Sequence, residues 1–144
     1  MQHLVKQLMS TELITLEEDQ DLGVANLLMS LAHVRHLPVV RGEELVGLVT
    51  HRDLLKAQAS ALEEESSEER RERDRRIRAS EIMQREVRTV TPGTPVIAAA
   101  RILREHKFGC LPVVDDGRLV GIVTEADFLD VVIRALEKEQ PASE

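Results

Sequence analysis

Aromatic side chains are nearly missing from these 144 residues, which hold two phenylalanines, Phe108 and Phe128, and no tyrosine or tryptophan. Proteins that grip single-stranded nucleic acid stack bases on aromatic rings, and that platform is absent. Cysteine is as scarce. Cys110 stands alone, so an internal disulfide is excluded and a reducing, cytoplasmic setting is expected. No apolar run approaches the length of a membrane helix, and the opening MQHLVKQLMS lacks a signal-peptide core, so no membrane role is expected. Positive charge is in deficit, with 19 Lys and Arg against 26 Asp and Glu and a formal net charge of −7. That balance argues against nucleic acid as a partner bound through bulk electrostatics.

Enzyme signatures are missing too. No G-x-S-x-G or phosphate-loop pattern occurs. His51-Arg52-Asp53 spells the kinase catalytic-loop triplet, but no glycine-rich loop or D-F-G accompanies it. His33 and His36 have no evident third metal ligand. Cys110 has no base to activate it and reads as a packed thiol, and Met9, Met29 and Met83 read as core or cleft lining. The expectation is a chain with no catalytic residue, no metal and no resident cofactor.

What the chain does have is a repeat. Sliding the sequence by 74 residues sets Leu37-Pro-Val-Val40 on Leu111-Pro-Val-Val114 and LVGLVTHRD (45–53) on LVGIVTEAD (119–127). Eleven of the twenty positions from 36 to 55 are identical at this offset, and Met9, Thr15 and Ala25 match Met83, Thr89 and Ala99 upstream. Periods of this kind mark duplicated structural units.

Each copy parses alike. Leu13–Leu16 and Val87–Val90 read as short strands. Amphipathic helices follow, with Leu22, Ala25, Leu28, Met29 and Ala32 at helical spacing in one copy and Val96, Ala99, Ile102 and Leu103 in the other. Two apolar strands then flank a glycine-bearing turn, Arg41–Glu44 or Asp115–Arg118. A second helix begins after Thr50 or Thr124, and in the second copy Phe128, Leu129, Val132, Ile133 and Leu136 share one of its faces. The expected fold is α/β, mixed α+β: two β-α-β-β-α repeats packed with pseudo-twofold symmetry around a shared core, with two equivalent clefts between them. One copy alone would bury too little. The boundaries read from the sequence are 1–60 for the first repeat, 61–79 for a charged helical linker, 80–137 for the second repeat and 138–144 for a frayed tail. Residues 63–78 hold seven acids and six arginines, with the acids first, as the helix macrodipole favours. They read as a solvated helix prolonging the first copy's last helix; an arginine face for nucleic acid or a partner is the minor alternative.

The Thr-x-x-Asp corners admit two readings. Threonine followed three residues on by a carboxylate is a helix-capping pattern. A helix N-terminus also offers free N–H groups to an anion. Spacing alone leaves both open.

The doubled h-P-V-V, turn, L-V-G-h-V-T-x-x-D pattern resembles the CBS (cystathionine β-synthase) domain family, and a tandem pair is known as a Bateman module. The likeness covers about Val5 to Leu136. It implies a non-catalytic regulatory sensor, assembled as a homodimer, that binds adenosyl ligands such as AMP, ADP, ATP or S-adenosylmethionine and acts on a separate protein partner. It also implies that Asp53 with Thr50, and Asp127 with Thr124, take ribose and phosphate. In the family, adenine and phosphate contacts come largely from the other copy. On that crossing, Asp127 and Thr124 join Lys6, Val34, Arg35 and His36 in a cleft suited to phosphorylated nucleotides. Asp53, Thr50 and Arg52 join Ser80, Arg85, Phe108, Gly109 and Cys110 in a second cleft, weaker, empty, or suited to a less anionic adenosyl ligand. The competing reading is a ligand-independent dimerisation or assembly module with vestigial clefts.

Overall fold

Two tight hairpins organise the chain, and each is set by residues that accept a left-handed backbone. A computed structural model describes residues 3–59 and 65–139. It divides into two compact units: residues 14–87 with 116–119, and residues 1–13, 88–115 and 120–144.

In the first unit, β1 (Leu16–Glu17) runs parallel to β2 (His36–Arg41), with Leu16 opposite Val39. The helix α1 (Leu22–Ala32) connects them; its first turn is capped by Asp21, whose carboxylate accepts the Val24 N–H at 3.0 Å. A hairpin with Gly42 at φ 66° leads from β2 into antiparallel β3 (Glu44–Thr50), after which α2 (His51–Ala59) begins. The helix α3 (Ser67–Arg76) and the single turn α4 (Ala79–Ile82) complete the unit. Its core is Leu16, Leu22, Ala25, Met29, Leu37, Val39, Val49, Leu54, Ala79 and Met83. At the surface, Arg41 clamps β2 to the residue after β1, its Nε 2.6 Å and Nη2 3.1 Å from the two carboxylate oxygens of Glu18.

The second unit repeats the plan, except that residues 116–119 of its hairpin are grouped with the first unit. A 3-10 turn at Val5–Gln7 precedes α5 (Val96–His106), β4 (Cys110–Asp115), β5 (Arg118–Thr124) and α6 (Glu125–Glu139). Asp116 and Gly117 turn the β4–β5 hairpin at φ 51° and 80°, the positive pair that a type I′ turn requires. The core gathers Val5, Val90, Ala99, Leu103, Leu111, Val113 and Val123. Leu129, Val132, Ile133 and Leu136 share the face of α6 expected from their spacing, yet each is more than half exposed in the chain alone.

The opening strands are shorter than their β-branched content suggests. The first is two residues long, and at Val90 only a single parallel bridge to Val113 forms. Beyond Val90 the chain turns at once, the Thr91 N–H going to Thr94 Oγ1 and Pro92 having no N–H to extend a ladder.

Each unit is completed by a segment from the other repeat. Val5 docks among residues of the second repeat, its N–H 2.8 Å from the Thr94 carbonyl, while Ala79 and Met83 lie in the core of the first unit. The charged segment is helical over α3, but not uniformly solvated. Asp74 is buried against α1, where Asn26 Nδ2 lies 3.5 Å from its Oδ2, and Arg73 reaches back to Glu65. Residues 60–64, through which it would prolong α2, and 140–144 of the expected tail lie outside the described residues; 138 and 139 close α6.

Candidate functional site

The first corner forms where β3 passes into α2. Thr50 Oγ1 accepts the Asp53 N–H at 3.2 Å, and the Asp53 carboxylate accepts the Thr50 N–H through Oδ2 at 2.9 Å. This is a reciprocal capping box. It holds the half-buried carboxylate in one orientation, and among the described residues the Thr50 hydroxyl donates no hydrogen bond.

Beside it runs the segment that carries Ser80 and Arg85, in which sequence reasoning did not single out Gln84. Gln84 pairs with Leu48 in both directions, at 3.0 and 2.8 Å, and its side-chain Nε2 lies 3.4 Å from Asp53 Oδ1 and 3.3 Å from Oδ2. The approach depends on Gly47, where a Cβ would stand 2.5 Å from Met83 Sδ and 3.0 Å from the Gln84 carbonyl oxygen. Arg85 follows, its guanidinium donating to the Ser80 carbonyl at 3.0 Å, and Ser80 is itself fixed by its N–H to the Glu18 carbonyl.

At the second corner the match is close but not complete. Asp127 Oδ2 accepts the Thr124 N–H at 2.8 Å and the Thr124 hydroxyl at 3.4 Å, so this threonine donates where Thr50 accepts. Asp127 Oδ1 takes no hydrogen bond from the described residues. The position equivalent to Gln84 is Ser10, which pairs with Ile122 at 2.9 and 3.0 Å alongside Gly121. Lys6 is held nearby in sequence by its N–H to the Pro92 carbonyl. Phe108 stacks on His106 with ring centroids 5.6 Å apart. Burial pushes the Cys110 thiol up to about 12, leaving it protonated and poorly nucleophilic at neutral pH.

The expected crossing of residues between the corners is altered by strand pairing. The family resemblance groups Val34, Arg35 and His36 with Asp127. The backbone sets Arg35 and His36 at the other corner: the His51 N–H donates to the Arg35 carbonyl at 2.8 Å, and His36 is the strand partner of Thr50. The reason is topological, since in an antiparallel hairpin the start of one strand lies against the end of the next. By the same logic Phe108, Gly109 and Cys110 lead into β4, the hydrogen-bonded neighbour of β5 and hence of Thr124. What crosses from the other repeat is the segment ahead of the first strand. The first unit therefore holds Arg35, His36, Thr50, Arg52, Asp53, Ser80 and Arg85, and the second holds Lys6, Phe108, Gly109, Cys110, Thr124 and Asp127. Gln84 carried no motif of its own; its place one residue before Arg85, at the offset of Ser10, was the available signal.

Among the described residues, no group of three His, Cys, Asp or Glu is placed to hold a metal ion, and no helix is long and apolar enough to cross a membrane.

Comparison with known proteins agrees with this architecture. The CBS domain profile matches residues 5–60 and 79–134. A CBS domain-containing protein of Dictyostelium discoideum is 41% identical over 145 residues, covering 99% of this chain and 100% of that protein. The CBS domain pair of protein MJ0100, solved in complex with 5′-methylthioadenosine and S-adenosyl-L-methionine, superposes with a TM-score of 0.78 at 29% identity, over 94% of this chain and 99% of that one. CBSX2, solved in complex with AMP, superposes with a TM-score of 0.76 at 29% identity, over 96% and 99%.

Proposed function

Since the chain belongs to the CBS domain family and carries the domain twice, we propose that it is a non-catalytic regulatory module that binds adenosyl ligands at its two Thr-x-x-Asp corners. The observation that carries this reading is the oriented carboxylate present in both units, Asp53 and Asp127, each anchored by a backbone N–H of its own corner. A carboxylate held this way suits the two hydroxyls of a ribose. The ligands of MJ0100 and CBSX2 differ at the 5′ position and share the adenosine.

The corners differ in what surrounds them, and with it the ligand each prefers. Arg35, His36, Arg52 and Arg85 share a unit with Asp53. A phosphate needs charge-assisted hydrogen bonds to offset its desolvation, so AMP and its di- and triphosphates belong to the Asp53 corner. The second unit offers Lys6 as its single cation among the candidates, beside the apolar Phe108 and Cys110. That suits 5′-methylthioadenosine or S-adenosylmethionine. The order is the reverse of the one expected from sequence, because the arginine and histidine ahead of β2 lie with Asp53.

A thermal-shift panel of AMP, ADP, ATP, S-adenosylmethionine and 5′-methylthioadenosine tests the proposal. A ligand at one hundred times its Kd adds about 2.7 kcal/mol of apparent stability. Titration calorimetry then assigns the corners: Asp53→Ala should remove AMP binding and Asp127→Ala should remove that of 5′-methylthioadenosine. A chain shifted by none of the panel is the ligand-independent assembly module instead.

The exposed stripe on α6 supports the homodimer that the family implies. Four apolar residues at 129, 132, 133 and 136, each more than half exposed, are an interface pattern and a liability in a monomer. A second copy would cover them, and ligand would stabilise one conformation of that dimer for a separate protein to read. Light scattering of the chain and of Ile133→Glu should give dimer and monomer masses respectively.

A further inference from the structure

We infer that Gln84 is an internal competitor for the ribose-binding carboxylate of Asp53, and that it sets the affinity of that corner apart from the corner at Asp127. The inference rests on the reading of the Thr-x-x-Asp corners as ribose sites.

An ionised carboxylate has two oxygens and only accepts hydrogen bonds. At Asp53, Oδ2 already holds the Thr50 N–H, and the Gln84 amide nitrogen sits between the two oxygens at 3.4 and 3.3 Å. A vicinal diol that donates to both oxygens of this carboxylate meets the amide there and competes with it for the remaining acceptor sites. Gln84 is well placed to resist, because its backbone is tied on both sides to Leu48 and pressed against Gly47. Its side chain is the movable part. At the other corner the equivalent residue is Ser10, bonded to Ile122 in the same way. Among the described residues the Asp127 carboxylate is bonded by Thr124 through Oδ2, with no hydrogen bond from Ser10 and none to Oδ1. One corner therefore carries a stopper and the other does not. At the Asp53 corner a ligand binds when its phosphate contacts outweigh the displaced amide.

The test uses the full chain with one corner disabled. Calorimetric titration with AMP compares Asp127→Ala with the same chain carrying either Gln84→Ser, which installs the other unit's residue, or Gln84→Met, which keeps the length and removes the donor. Both should bind AMP about three- to tenfold more tightly, the factor expected from one modest hydrogen bond. Conversely, Ser10→Gln in an Asp53→Ala chain should weaken 5′-methylthioadenosine by a similar factor. Unchanged AMP affinity in both Gln84 variants, with AMP still bound, overturns the competitor and leaves the ribose reading standing. If AMP binding ignores both Asp53→Ala and Asp127→Ala, the ribose reading itself fails. A ligand-free measurement then decides the contact: Asp53→Asn should shift the Gln84 side-chain amide resonances in NMR spectra, and unmoved resonances refute it.

Discussion

Thr50 and Thr124 occupy one place in two copies of the same pattern, yet their hydroxyls bond differently. Thr50 accepts from the Asp53 N–H, whereas Thr124 donates to the Asp127 carboxylate. Capping side chains contribute about 1 kcal/mol when they satisfy a helix N–H. Thr50→Ala should therefore lower stability in urea by about that amount, and Thr124→Ala by clearly less. The corner itself was legible in the sequence, since threonine and aspartate at this spacing announce a helix start. The difference between the copies was not, because it depends on hydroxyl orientation rather than residue type. Gln84 was hidden for a related reason: its meaning comes from a pairing with Leu48 far away in sequence. Another residue-scale effect follows from Glu18. The Arg41 hydrogen bond, reinforced by the Arg41 charge, holds the Glu18 carboxyl below its ordinary 4.5. A carboxyl depressed in the folded state adds stability above its unfolded pKa and loses it as pH falls through the folded value. The stability difference between the natural chain and Glu18→Gln should thus be present at neutral pH, begin to shrink as pH falls below about 4.5, and vanish once pH is below the depressed folded value. Because the pair is exposed, 1 M salt should shrink it at neutral pH as well.

At the scale of elements, the two glycines in L-V-G are contact points for a passing segment. A Cβ at Gly47 would stand 3.0 Å from the Gln84 carbonyl oxygen, and one at Gly121 would stand 3.1 Å from that of Ser10. The methionine sulfurs nearer still can swing aside; the carbonyls are fixed by strand-like pairing. Gly47→Ala and Gly121→Ala should each destabilise by about 1–2 kcal/mol, the usual cost of overpacking, and chemical denaturation measures it. The repeat pointed to these glycines, but their reason lay in a neighbour that the sequence pattern does not name. The inner strands were readable from apolar runs and turn glycines, and the helices from periodicity. The charged helix was readable as a helix only. Its composition suggested solvent on all sides, while a single aspartate, Asp74, is drawn into contact with α1 through Asn26. Burial of one charge in a run of ten polar residues leaves no periodic mark.

For the whole molecule, duplication was the strongest signal in the sequence, and it located both copies. Where one compact unit ends and the other begins was not visible in it. A repeat is defined by similarity along the chain, whereas a unit is defined by what packs together, and here the two differ by an exchange of leading segments. Residues 1–60 made alone would keep Leu16, Leu37 and Val49 but lack Ala79 and Met83, which close the same core. Such a fragment should show little cooperative thermal unfolding by circular dichroism, and adding residues 61–87 should restore it.

The docking of Val5 beside Thr94 and Val123 has a consequence for the order of synthesis. On the ribosome, the unit containing most of the first repeat has nearly all its residues once position 87 has emerged. The opening segment has nothing to dock on at that time. It must stay out of the first unit's core, although Val5, Leu8 and Met9 are apolar, until β5 with Val123 appears. Val5, Leu8 and Met9 are thus made before the core that buries Val5 and are covered only after it, and a chaperone or a nascent-chain protease would meet them throughout that interval.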